Sequence, residues 1–84
     1  MVTASQIRAA RALLGWNGAE LAHAAGLSLQ TIRRMESELG PGRSSAANVD
    51  AVQRALETNG VLFLGADEIG GPGVRLRGAE RQGV

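Results

Sequence analysis

The side chains best suited to chemistry in this sequence lie between Trp16 and Glu36, where Gln30, Thr31, Arg33 and Arg34 follow Ser28 on one short stretch. These types suit recognition more than bond-making, since arginine makes bidentate contacts to phosphate and to guanine. Around them the spacing predicts two short helices joined by a tight turn. Capping residues stand at both helix starts, and polar residues remain on the outer surface of the second helix. Such a pair can carry one helix into a DNA major groove.

No set of residues reads as catalytic or metal-binding. His23 is the one histidine and has no second ligand at useful spacing. Glu36 and Glu38 lie two apart, which directs them away from each other on a helix. Glu36 is better matched to an arginine on the first helix, Arg11. Gly70-Gly71-Pro72-Gly73 lacks the Lys-Ser/Thr ending and the following helix of a phosphate cradle. The chain has no cysteine, which excludes disulfides and thiolate metal sites. The expectation is a non-enzyme with no cofactor.

The 84 residues allow one domain at most, with a core small enough to favour oligomerisation. Net charge is only +1, and the nine cationic side chains are all arginine. Up to residue 45 the arginines are 8, 11, 33, 34 and 43, against acids at 20, 36 and 38, a mild basic bias. The start lacks the pattern of a secretory signal, and no stretch approaches the ~20 apolar residues of a membrane span. A cytoplasmic location is expected, at the nucleoid when bound to DNA.

The elements that position these residues follow from caps and periodicity. A first helix is expected over 4–14, opened by a Thr3/Gln6 capping box and closed by Gly15, with Ile7, Ala10 and Leu14 on its apolar face. A second starts at Asn17, whose capping box with Glu20 is reinforced by a Trp16–Leu21 staple, and Gly26 supplies the turn. A third opens at Ser28, points Ile32 and Met35 inward, and fails near Leu39, before Gly40-Pro41-Gly42. A fourth spans roughly 46–58 on Val49, Val52 and Leu56, and Asn59-Gly60 stops it. The pattern then changes to two short strands, Val61-Leu62-Phe63-Leu64 and Val74-Arg75-Leu76-Arg77, joined by a glycine-rich connection. Residues 78–84 are expected to be a disordered tail.

Leu21-Ala22, the turn Gly26, Ser28, Thr31-Ile32 and Met35-Glu36, with Trp16 ahead of them, resemble the Cro/repressor-type (XRE-like) helix-turn-helix family of bacterial and phage transcription regulators. The likeness extends over about residues 3–60. It implies a mainly α, four-helix lambda-repressor-like domain over 1–60, here followed by a two-stranded β element over 61–77. It also implies a dimer that places residues 28–38 of each subunit in the major groove of double-stranded DNA, at half-sites about one turn apart. By position, Leu29, Gln30 and Arg34 fall where the family reads bases, and Ser28, Thr31 and Arg43 where it contacts the backbone. Arg33 fits either role. Two positions depart from the pattern: Gly18 stands where the family usually has glutamine, and Leu29 replaces a polar residue.

A lone hairpin is marginal in water. The strands must therefore pack on their own helices or pair with those of a second subunit. The second option is preferred, with Val61, Leu62, Phe63, Leu64, Val74 and Leu76 as the dimerisation residues. The functional expectation is a homodimeric, sequence-specific DNA-binding regulator, a repressor. The alternative is an antitoxin-like or other interaction module whose C-terminal strands bind a protein partner, with DNA binding serving autoregulation.

Overall fold

Each α-helix among the described residues begins at a side-chain oxygen that captures a free backbone N–H. In the computed structural model, which describes residues 1–78, Thr3, Asn17, Ser28 and Ser45 accept from the N–H groups of Gln6, Glu20, Thr31 and Asn48 at 3.1, 2.8, 3.1 and 3.1 Å. The helices they open are α1 (Ala4–Leu14), α2 (Gly18–Ala25), α3 (Leu29–Met35) and α4 (Ala46–Thr58). The Thr3/Gln6 and Asn17/Glu20 capping boxes are both complete. Gly15 and Gly26 end α1 and α2 at φ of 69° and 70°, a left-handed conformation that glycine adopts without a Cβ penalty. The next residues, Trp16 and Leu27, donate back to Arg11 and Ala22 and close both helix ends.

Ile7, Leu21, Ile32, Met35, Val52, Leu56 and Val61 form the fully buried centre of one core. Burying each such side chain stabilises by roughly 1.5–3 kcal/mol relative to leaving it in water. After α4, Asn59-Gly60 turns the chain into β1 (Val61–Leu64), which pairs antiparallel with β2 (Gly73–Leu76) of the same chain. The register sets Val61 opposite Leu76, Leu62 opposite Arg75, Phe63 opposite Val74 and Leu64 opposite Gly73. Alternation along a strand turns Val61 and Phe63, with Val74 and Leu76, toward the helical core. Gln6, a buried polar residue of α1, joins helix to hairpin. Its Oε1 accepts the Thr3 N–H at 2.9 Å, and its Nε2 donates to the carbonyls of Leu64 and Gly73 at 3.1 and 3.0 Å.

Mainly helical architecture with a C-terminal two-stranded antiparallel sheet is as the sequence led us to expect. Two details differ. The third helix, expected through residue 38, ends at Met35. Ser37 donates from its hydroxyl to the Arg34 carbonyl at 2.7 Å, and Arg8 donates to the Glu36 carbonyl, so local side chains take the acceptors that a further turn would use. A 3-10 turn, Pro41–Arg43, follows with Pro41 buried, and β2 begins and ends one residue early, at Gly73 and Leu76. The tail expected at 78–84 lies, Gly78 apart, outside the described residues.

Candidate nucleic-acid interface

Seven helical residues make two turns, enough to sort side chains cleanly by direction. Ile32 and Met35 point into the core, at 1% and 0% exposure. Helical geometry then sets Gln30 on the far side, with Arg33 and Arg34 flanking it, and all three are exposed. Leu29 and Thr31 lie at the two borders of this face and are half-buried. Arg43, on the 3-10 turn that packs against α3, is exposed too. The two ion pairs among the described residues belong to other arginines, Arg11 and Arg54. Arg33, Arg34 and Arg43 therefore keep their guanidinium groups available for a polyanion.

What holds α3 in place is a second set of arginines. Arg11 on α1 grips the Glu36 carboxylate from two nitrogens, Nε to Oε2 at 2.7 Å and Nη2 to Oε1 at 2.8 Å. Its Nη1 donates to the Trp16 carbonyl at 3.1 Å. One side chain thus ties the end of α3 to the entry of α2. The Arg11 and Glu36 side chains keep only 22% and 11% of their exposure, so solvent screens the pair weakly. The hydrogen bonds that Arg11 donates to Glu36 raise its pKa above the already high ordinary value; burial opposes this less strongly, and the Glu36 charge adds a still smaller increase. The raised pKa makes the Arg11 contribution fully present below the unfolded value and lost only above the folded one. Arg11 therefore stays charged through any working pH. Arg8, one turn earlier on α1, donates to the Glu36 carbonyl and, at 3.2 Å, to Ser5.

The residues expected to face DNA fall into three groups. Gln30, Arg33, Arg34 and Arg43 are free to reach outward. Ser28 and Thr31 are engaged with each other, Oγ to Oγ1 at 2.9 Å, as part of the helix cap. Leu29 leans back on α2: its Cδ1 lies 3.0 Å from where a Cβ on Gly18 would stand. The pairing of Arg11 with Glu36 was legible in the sequence. The grip of Arg8 on the Glu36 carbonyl was not, although Arg8 and Arg11 share one face of α1 and so reach the same end of α3. His23 is exposed on α2, and no group of three or more potential metal ligands occurs among the described residues.

Of the six strand residues expected at a subunit interface, Val61, Phe63, Val74 and Leu76 pack against the chain's own core. Val61 is 0% exposed there and has no surface left to offer a second copy. Leu62 and Leu64 belong to the opposite face of the hairpin, where Leu64 is 39% exposed. No helix among the described residues is long and apolar enough to cross a membrane.

No curated protein and no solved structure matches the chain. The family model described as helix-turn-helix matches residues 7–62, from the middle of α1 into β1. That span is more than half of the chain and contains the whole α2–α3 unit with both of its α1 arginine tethers. With the capped helix pair, its outward cationic face and this match in hand, the chain belongs to the Cro/repressor-type (XRE) helix-turn-helix family of DNA-binding regulators.

Proposed function

We propose that the protein is a transcriptional repressor that binds a two-fold operator as a homodimer, with α3 of each subunit in the major groove. The observation that carries this reading is the division of labour among the arginines. Arg8 and Arg11 are consumed in fixing α3, whereas Arg33, Arg34 and Arg43 project from it and its flanking turn with no carboxylate partner among the described residues. In this reading Gln30 and Arg34 contact base edges, Arg43 contacts phosphate, and Ser28 and Thr31 touch the sugar-phosphate backbone at the border of the face. Arg33 stands between the two roles. Repression follows from occupancy, because a dimer spanning two half-sites about one helical turn apart covers the DNA that a polymerase would need.

Selection of bound sequences from a random DNA pool at fixed salt tests this reading. A palindromic consensus is expected. A featureless pool would overturn sequence-specific binding, and a single asymmetric half-site would overturn the dimer.

A second reading draws on the hairpin. Each strand of the sheet has one β neighbour, so each keeps one edge without a strand beside it. Such an edge accepts an added strand, from a second copy or from an unrelated protein as in an antitoxin. Mass measurement of the purified protein by light scattering separates the two. A homodimer supports the repressor reading; a monomer that gains mass only with a co-encoded protein supports the second.

A further inference from the structure

Gly18 and Leu29 sit on different helices and touch. Gly18 is the first residue of α2 and Leu29 the first of α3. The Leu29 Cδ1 occupies ground 3.0 Å from the point where any other residue at 18 would place its Cβ. A methyl group at position 18 would press on Leu29 hard enough to move it. The missing side chain at 18 and the apolar one at 29 are therefore a matched pair. Leu29 is half-buried, and its remaining surface borders the face that carries Gln30, Arg33 and Arg34.

We propose that this pair is a methyl-reading element, in which Gly18 lets Leu29 lie back on α2 and hold an apolar edge toward the C5-methyl group of a pyrimidine in the operator. The proposal rests on α3 being the recognition helix. Leucine has no donor or acceptor, so it cannot distinguish bases by hydrogen bonding. The apolar feature that a base pair offers in the major groove is the C5-methyl group. Thymine and 5-methylcytosine both present it. A leucine already held by α2 also has less rotamer freedom to lose on binding than one free in solvent. Leu29 thus serves as a specificity-determining residue through its shape, and Gly18 as the residue that positions it.

The test uses the full chain and the duplex selected from the random pool, with each thymine in turn replaced by uracil, which removes the methyl group and leaves the hydrogen-bonding pattern intact. At one position per half-site the exchange is expected to weaken binding about fourfold, the factor for one methyl group removed from water. In a second arm, cytosine is placed at that position, and its 5-methyl form should recover a similar factor, which tells thymine-specific from methyl-specific reading. Leu29→Ala should abolish the thymine–uracil difference. Gly18→Ala, which favours helix and so preserves the fold, should shrink it by displacing Leu29. A role for Leu29 confined to stapling α2 to α3 would leave no thymine–uracil difference at any position. That result, or a difference retained in Leu29→Ala, overturns the proposal while specific binding itself stands. Loss of the Leu29 effect without any response to Gly18→Ala would overturn the pairing. A pool without consensus would instead remove the recognition-helix reading and this proposal with it.

Discussion

The helix-turn-helix unit and the C-terminal hairpin are built on opposite principles. Between Thr3 and Leu39, order comes largely from groups three to five residues apart: caps at Thr3, Asn17 and Ser28, and the turns at Gly15 and Gly26. One long-range device, the grip of Arg11 and Arg8 on Glu36, locks the result. The hairpin has little of this. Eight residues separate its strands, and its position depends on Gln6, far away in the chain, on the bond from Arg77 N–H to the Gly60 carbonyl at 2.7 Å, and on apolar packing. Local encoding suits a surface on which the proposed function needs Gln30 and Arg34 in fixed geometry. Remote encoding suits a flank that carries none of those side chains.

Breaking the Arg11–Glu36 pair should produce the largest effect. Glu36→Ala leaves Arg11 partly buried beside no counter-charge, and a loss of about 3 kcal/mol in folding stability is expected by urea denaturation. A change below about 1 kcal/mol would show that caps alone fix α3. On the DNA side, Arg34→Ala should weaken specific binding by roughly 1–3 kcal/mol and relax preference at one base position. Arg43→Ala should lower affinity on all sequences and reduce the salt slope by about one. Equal losses for Arg34→Ala on specific and random duplexes would reassign it to phosphate.

Gln6→Leu sharpens the contrast from the other side. It removes the bonds to the Leu64 and Gly73 carbonyls and should cost about 1–2 kcal/mol. The base preference in the selection assay should stay the same. A shift in preference would mean that the hairpin orients α3, and the two regions would have to be treated as one device. The smallest change is expected from Ser45→Ala, which deletes the cap of α4 for about 1 kcal/mol in thermal or chemical denaturation. A larger loss would point to a further role for the turn that carries Arg43.

What the sequence made legible follows the same division. The starts of α1, α2, α3 and α4 could be read because Thr3, Asn17, Ser28 and Ser45 satisfy backbone donors within a single turn. The Arg11–Glu36 pair could be read because a carboxylate at a helix C-terminus is disfavoured by the helix dipole unless a cation offsets it, and α1 carries arginines. The early end of α3 could not, since it depends on Ser37 and Arg8 competing for carbonyls that a helical pattern assigns to the helix itself. Nor could the inward turn of Val61, Phe63, Val74 and Leu76. A short apolar run carries no mark of whether its own domain or a second copy will cover it. The lean of Leu29 on Gly18 was visible only as two departures from a family pattern, and their contact joins them into one.

Gln6 gives this small molecule an unusual linkage. The same carboxamide closes the first turn of α1 through its oxygen and fastens the far end of the hairpin through its nitrogen. Fraying at the amino end and peeling of the strands are therefore expected to be coupled through this one side chain. Amide deuterium uptake should rise at Thr3 and along β1 in step, so that a ligand clasping the hairpin would also quieten the start of the helix that anchors α3.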